Sequence, residues 1–100
     1  MNDLPSSAEG AGPVRCKVVI CNQRGLHARA AARFVRVAFE FDAEITVAKN
    51  DASVSGRSIM GLMMLAAGPG TELEISASGR DAARAVAALA KLVSNGFDES

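Results

Sequence analysis

The sequence has no tryptophan and no tyrosine, and four phenylalanines are its only aromatic residues. Eleven basic residues balance eleven acidic ones. Proteins that read single-stranded RNA commonly stack its bases on aromatic side chains, and nucleic-acid-binding domains are usually basic. The composition therefore argues against nucleic-acid binding, although an arginine stripe described below keeps an RNA-binding domain as a weak alternative. Zero net charge also gives no general attraction to an anionic membrane.

Long hydrophobic segments are absent as well. The sequence has no run of eighteen apolar residues, and its first residues, MNDLPSSAEGAGPV, contain neither a basic region nor a hydrophobic region of a secretion signal. We therefore expect a soluble, cytoplasmic protein with no membrane insertion.

Metal ligands and disulfide partners are scarce. Cys16 and Cys21 lie in one predicted strand, and their odd separation places the side chains on opposite faces, about 16 Å apart. The two cysteines therefore cannot pair with each other. With a single histidine and no CxxC spacing, the sequence predicts no metal site. Two free thiols agree with a reducing compartment.

The length and composition fit one globular domain, because 49% of the one hundred residues are apolar and 22% are charged. Nineteen of the apolar residues are alanines, so the core is expected to be thin. We predict a flexible N-terminal tail over residues 1–13, the folded domain over residues 14–96 and a C-terminal tail over residues 97–100.

Hydrophobic periodicity predicts the order strand, helix, strand, strand, helix, strand, helix. Each strand has one polar face, so the sheet should be antiparallel, with helices on one side only. This is an α/β two-layer open sandwich. The predicted inward residues of the strands are Val14, Cys16, Val18, Ile20, Ile45, Val47, Ala52, Val54, Leu73, Ile75 and Ala77. Those of the helices are Ala28, Ala31, Ala32, Val35, Ala38, Phe39, Leu62, Leu65, Ala66, Ala82, Val86, Leu89, Ala90 and Val93.

The only histidine, His27, follows Gly25 by two residues and comes directly before the first predicted helix. A lone histidine in such a place is most often a loop or cap residue. Here, however, the first N–H groups of the helix and the positive end of its dipole form a site for an anion such as phosphate. Arg29 can add a charged fork. The same field disfavours imidazolium, and a neutral ring offers a nucleophilic nitrogen to a phosphoryl group.

Several catalytic patterns are absent. The sequence has no GxxxxGK nucleotide loop, no GxSxG elbow and no carboxylate between Asn22 and Glu40 that could orient His27 as a general base. The sequence thus contains a phosphoryl acceptor without the means to make or hydrolyse a phosphoanhydride. We therefore expect a carrier rather than an enzyme, with no cofactor.

Two surfaces are candidates for docking. The first is an arginine stripe, Arg24, Arg29, Arg33 and Arg36, which is otherwise simply a solvated face. The second is the helical segment SIMGLMMLAA, of which a two-layer protein can bury only one side. Ile59, Met60 and Met63 should then be exposed and suit adaptable binding, unless the N-terminal tail covers them. A non-catalytic interaction module that docks through this Met-rich helix is the main alternative to a carrier.

The segments GLHARAAARFV and GRSIMGLMMLA resemble the two signatures of the HPr family, the histidine-containing phosphocarriers of the phosphoenolpyruvate phosphotransferase system. The resemblance extends from about Arg15 to Gly96. It implies a four-stranded antiparallel sheet of order 1-4-2-3 with three helices on one face. It also implies that His27 takes a phosphoryl group on Nδ1 from phospho-enzyme I and passes it to a histidine of an enzyme IIA protein. Arg29 would steady that group.

The resemblance also implies that Ser58 matches a regulatory serine, modified by an HPr kinase/phosphorylase, although Ser58 is equally expected as a helix N-cap. Ile59, Met60 and Met63 would match the docking patch. We expect a monomer, because a carrier presents one face to two partners in turn. Ala30 stands where the family usually has proline. Alanine is compatible with the helix, but we expect it to hold the pocket less rigidly than proline would. The segments SNGFDES and GLMMLAAGPG are similar to the nitrogen-related NPr branch, so both the sugar and the nitrogen branch stay open.

Overall fold

Four strands form one antiparallel sheet in the computed structural model, which describes residues 12–99. The strands are β1 (Val14–Val19), β2 (Glu44–Lys49), β3 (Ala52–Ser55) and β4 (Glu72–Ser78). Their order is β1-β4-β2-β3, which confirms the order implied by the family resemblance. The last strand in sequence thus lies between the first two. Of the predicted tail over residues 1–13, all but the last two residues lie outside the described part.

Three helices cover one face of this sheet and confirm the two-layer α/β open sandwich. They are α1 (Ala28–Ala38), α2 (Ile59–Met64) and α3 (Ala82–Ser94), and a single 3₁₀ turn follows over Gly96–Asp98. No helix within residues 12–99 is both long enough and apolar enough to cross a membrane.

The strand residues that form the core follow the predicted alternation closely. Seven predicted inward residues are buried: Val18, Ile20, Ile45, Val47, Leu73, Ile75 and Ala77. Cys16 and Val54 are only partly buried against the core. The prediction is wrong for Val14 and Ala52, both of which are exposed. Each is the first residue of a strand at an edge of the described sheet, where neighbours cover one side only.

The predicted core face of α1 is rotated relative to the observed one. Ala31, Val35 and Ala38 are buried as expected, but Ala28 is exposed and Ala32 only half-buried, while Ala30 and Phe34 are buried. Phe39, predicted to face inward, is 64% exposed. It follows the last helical residue, and the guanidinium of Arg57 lies 5.0 Å from its ring centre. A stacked cation partly compensates an aromatic ring left at the surface.

Helix α2 is shorter than the predicted segment and ends before Ala66. Lys49 Nζ donates a hydrogen bond of 2.9 Å to the carbonyl of Leu65, just beyond the helix. Ala66 then takes a left-handed conformation with φ +51°. Its predicted inward position is therefore wrong: Ala66 is exposed, and Ala67 is the residue that turns into the core.

Helix α3 largely follows the prediction. Ala82, Val86, Leu89 and Val93 are buried, and Ala90 is partly buried. Asp81 occupies the N-cap position, but its side chain makes no cap bond. The carboxylate instead accepts a hydrogen bond of 2.9 Å from the backbone N–H of Asp42, which joins the start of α3 to the loop before β2.

Candidate functional site

The loop between β1 and α1 is held in place by backbone contacts around Gly25. The N–H of Leu26 donates to the carbonyl of Ala67 at 2.9 Å, and Asn22 Nδ2 donates to the carbonyl of Gly25 at 2.9 Å. Gly25 has φ +64°, and a Cβ placed there would lie only 2.3 Å from the Ala67 carbonyl oxygen. Only glycine permits this combination of a left-handed conformation and a close approach of two backbones.

His27 occupies the N-cap position of α1. Its backbone is extended, with φ −76° and ψ 177°, and its carbonyl accepts a hydrogen bond of 2.8 Å from the N–H of Ala31. The imidazole does not cap the helix. The N–H groups of the first helical turn consequently have no acceptor within the helix and can bind an anion beside the ring. The side chain is 17% exposed, so the ring lies at the surface rather than within the core.

One edge of the imidazole contacts a carboxylate from the C-terminal end. His27 Nε2 is hydrogen-bonded to Glu99 Oε2, and Asn22 Nδ2 donates to Glu99 Oε1 at 3.0 Å. The stretch between Asn22 and Glu40 contains no carboxylate, as the sequence shows, but a carboxylate from outside that stretch contacts the ring. The partner lies 72 residues away. Spacing along the sequence carried no signal that could have found it.

The charge state of Glu99 decides how the ring is protonated. The hydrogen bond from His27, followed by that from Asn22, holds the pKa of the Glu99 carboxyl below its ordinary value, and the positive charge of Arg24 contributes in the same direction. Glu99 is therefore ionised near pH 7 and has no proton to donate. The hydrogen of the His27–Glu99 bond must then belong to Nε2. In the neutral ring this leaves the lone pair on Nδ1.

The C-terminal turn that carries Glu99 is unusual. Gly96, Phe97 and Asp98 have φ values of +64°, +57° and +60°, so three consecutive residues are left-handed. Phe97 is fully buried in the core, and its carbonyl accepts a hydrogen bond from Arg33 Nη1. Left-handed residues other than glycine are unfavourable and persist where surrounding contacts enforce them. Residues 97–99 were predicted to be a C-terminal tail, but Phe97 is buried in the core and Glu99 contacts His27.

Three of the predicted arginines converge beside His27. A hollow of about 310 Å³ is lined by Arg24, Arg29, Arg33, Asp98 and Glu99. Arg24 and Arg29 are exposed, whereas Arg33 is half-buried by its contact with the C-terminal turn. Arg36 also belongs to the predicted stripe but does not line this hollow. The hollow therefore combines three arginines, whose guanidinium groups suit a phosphoryl group, with two carboxylates, which do not.

Ser58 occupies the N-cap of α2, as the capping interpretation expects. Its side-chain oxygen accepts a hydrogen bond of 2.9 Å from the N–H of Gly61. The residue is half-buried. Its hydroxyl oxygen stabilises the start of α2 through the bond to Gly61. The capping function of Ser58 is confirmed, and its regulatory function stays a prediction.

Helix α2 exposes an apolar surface, which we call the Met patch and define as Ile59, Met60, Met63 and Met64. The first three were predicted to be exposed, and they are 42%, 70% and 41% exposed. Met64, which is 77% exposed, was not among the residues predicted to be exposed. Leu62 and Leu65 are buried as predicted. The N-terminal tail proposed as a cover lies almost wholly outside the described residues.

The family comparison agrees with this architecture. Residues 14–95 match the family PTS-HPr, described as "PTS HPr component phosphorylation site". The chain is 49% identical over 82 residues to the phosphocarrier protein HPr of Neisseria meningitidis serogroup A, covering 82% of this chain and 92% of that protein. It is 44% identical over 84 residues to the phosphocarrier protein NPr of Shewanella violacea, covering 84% and 92%.

A solved structure shows the same fold. The crystal structure of HPr-C-His from Thermoanaerobacter tengcongensis is 39% identical and has a TM-score of 0.83, covering 87% of this chain and 98% of that chain. These similarities extend across the sheet, the three helices and both sequence signatures. The chain therefore belongs to the HPr family, the bacterial phosphocarrier proteins of the phosphotransferase system.

Proposed function

We propose that His27 is the phosphoryl acceptor of this carrier, that Nδ1 is the reacting atom, and that the group arrives from phospho-enzyme I and leaves for a histidine of an enzyme IIA protein. The observation that supports the proposal is that only one of the two ring nitrogens of His27, Nε2, is hydrogen-bonded to Glu99. The ring lies at the N-terminus of α1. The remaining nitrogen, Nδ1, then holds the lone pair of the neutral ring.

The transfer needs no water and no free phosphate. The Nδ1 lone pair attacks the phosphorus of the phosphohistidine on enzyme I, the N–P bond there breaks, and its electron pair returns to the histidine of enzyme I. The N–H groups at the start of α1 and the guanidinium of Arg29 stabilise the negative oxygens during the transfer. The same sequence of steps, with the chain as donor, delivers the group to enzyme IIA.

We propose that both partners dock on the arginines of the hollow and on the Met patch. Arg24, Arg29 and Arg33 supply positive charge that steers an acidic partner, and the Met patch supplies apolar area with flexible side chains. Enzyme I and enzyme IIA would use this face in turn, which requires a chain that works as a monomer.

Phosphotransfer with purified components tests this function. The chain is incubated with phosphoenolpyruvate and enzyme I, and intact mass is measured before and after mild acid. We expect an acid-labile gain of one phosphate in the parent and none in His27→Ala. Sugar-branch and nitrogen-branch enzyme I, run side by side, identify the branch by the faster transfer. The alternative, a non-catalytic module docking through its Met-rich helix, predicts binding without any gain of phosphate.

Ser58 is proposed as a site of regulatory phosphorylation by an HPr kinase/phosphorylase. A phosphate there adds about −1.5 to −2 charges beside the Met patch and should weaken docking to enzyme I. A Ser58→Asp variant places a negative charge at the same position, and Ser53→Asp, on exposed β3, is a matched control. We expect slower phosphate acceptance in Ser58→Asp only. Equal rates in both variants and the parent would contradict the regulatory proposal.

A further inference from the structure

We propose that Glu99 is a positioning residue that keeps the proton on Nε2 of His27, both before and after Nδ1 takes up the phosphoryl group. This inference rests on the proposed function of His27 and adds a residue on which the chemistry of that ring depends. Glu99 touches neither the phosphoryl group nor the partner protein in this scheme. It acts only through the imidazole.

The carboxylate is held by several independent contacts. Asn22 is 7% exposed, and its Nδ2 group donates to both the Gly25 carbonyl and Glu99 Oε1. On the other side, burial of Phe97 and its hydrogen bond from Arg33 fix the backbone just before Glu99. The left-handed turn over Gly96–Asp98 is kept by these contacts despite its unfavourable backbone. A carboxylate fixed from two directions can select one orientation and one tautomer of the ring.

Asn22 connects this carboxylate to the loop that carries His27. Its side-chain oxygen Oδ1 is buried and has no hydrogen-bond partner, so the amide is oriented by the two bonds that its Nδ2 donates. The same side chain thus fixes the backbone at Gly25 and one oxygen of Glu99. Glu99 and the loop of His27 are thereby held in one arrangement.

Charge changes on the ring give Glu99 a second effect. When neutral His27 forms the Nδ1–P bond and keeps its proton on Nε2, the ring becomes positively charged, and the adjacent carboxylate stabilises it. When the acceptor histidine attacks phosphorus, the Nδ1–P bond breaks and its electrons return to Nδ1. The ring leaves as neutral imidazole with the proton still on Nε2. The carrier therefore returns to its starting tautomer without gaining or losing a proton.

A ring that lost the Nε2 proton while phosphorylated would have to leave as imidazolate, a much poorer leaving group. The other charged groups around this ring are Arg24, Arg29, Arg33 and Asp98, which line the same hollow. The three guanidinium groups oppose a positive charge on the ring. The Glu99 carboxylate is in direct contact with Nε2. Its negative charge therefore offsets the effect of the three guanidinium groups on the proton that Nε2 carries.

The test uses Glu99→Gln, with Asp98→Asn as the matched control. Both changes remove one carboxylate from the same turn, but only Glu99 contacts His27. ¹⁵N NMR of the histidine ring reports which nitrogen carries the proton. Transfer from the phosphorylated chain to enzyme IIA, followed against pH, reports the leaving group. ³¹P NMR reports which nitrogen carries the phosphoryl group.

We expect the parent and Asp98→Asn to show the Nε2–H tautomer and Glu99→Gln to show a mixture of tautomers. Carboxylate partners of metal-bound histidines change affinity or activity about 10–100-fold, and transfer from phosphorylated Glu99→Gln should slow by a similar factor, about tenfold or more. The pH above which its transfer slows should also lie lower than in the parent. A purely structural effect of the substitution would not move the tautomer or that pH.

An Nδ1–H tautomer in the parent would overturn the inference, as would equal transfer rates and pH profiles in Glu99→Gln and the parent. In the second case the parent still takes up phosphate, so the proposed function of His27 stands while the assignment of Glu99 fails. A parent that takes up no phosphate from either enzyme I removes the proposed function and this inference with it.

Discussion

Substitution of Gly25 by alanine tests whether the close approach of two loops holds His27 in place. A Cβ on Gly25 would lie 2.3 Å from the Ala67 carbonyl oxygen and 2.9 Å from Gly68 Cα. Both are backbone atoms and cannot rotate away as a side chain could. The loops must therefore separate, which breaks the hydrogen bond from the Leu26 N–H to that same carbonyl.

The loss of stability has two parts. The left-handed conformation at φ +64° is unfavourable for alanine by about 1–2 kcal/mol. The broken backbone hydrogen bond adds about 0.5–1.5 kcal/mol. We therefore expect Gly25→Ala to lower the free energy of unfolding by about 1.5–3.5 kcal/mol. It should also slow phosphate uptake, because the residue lies two positions before His27.

Gly70→Ala is the matched control, because Gly70 also has positive φ, +86°, but no heavy atom lies within 4 Å of the added Cβ. Gly70→Ala should lower the free energy of unfolding only by the cost of a left-handed alanine, about 1–2 kcal/mol. Urea unfolding followed by far-ultraviolet circular dichroism suits a chain without tryptophan or tyrosine. Equal losses in the two variants, with equal phosphate uptake, would refute the steric argument.

Three further outcomes follow from the contacts described. Ser58→Ala should lower stability by about 1 kcal/mol because it removes the N-cap bond, whereas Ser53→Ala on exposed β3 should change little; urea unfolding compares them. Phe97→Ala should lower stability by about 3–5 kcal/mol and raise hydrogen exchange in the C-terminal turn; a loss below 1 kcal/mol would contradict its place in the core. The lowered pKa of Glu99 means that its hydrogen bonds stabilise the folded state above the ordinary pKa of 4.5 and that this stabilisation is lost as pH falls through the lowered pKa. The stability difference between the parent and Glu99→Gln should therefore be present above pH 4.5 and shrink as pH falls through the lowered pKa of Glu99.

The sequence predicted the strands better than the helix faces. Strand β4 alternates sharply, so Leu73, Ile75 and Ala77 were placed correctly on the buried face. Helix α1 is rich in alanine, and its alanines lie on several sides of the helix. Hydrophobic periodicity alone therefore fits more than one orientation of the helix about its axis. The bulky residue that decides the rotation, Phe34, was left off the predicted face while exposed Phe39 was included.

The site was predicted only as far as local spacing reaches. Gly25, His27 and the start of α1 are neighbours in sequence, so their arrangement could be inferred from it. The contact of Glu99 with the ring depends on how the C-terminal turn packs after α3, and burial of Phe97 decides that packing. No periodicity in the last residues distinguishes a packed turn from a free end.

The central position of β4 has a consequence for how the chain acquires its structure. Strand β1 pairs with β4, from Val14 opposite Ala77 to Val19 opposite Glu72, and the β2–β3 hairpin joins the sheet through the same strand. Until β4 has been synthesised, β1 and the hairpin share no neighbour. During translation the apolar faces of β1 and of the hairpin therefore stay uncovered by the sheet until β4 is made. We expect this long-range pairing to limit the rate of folding.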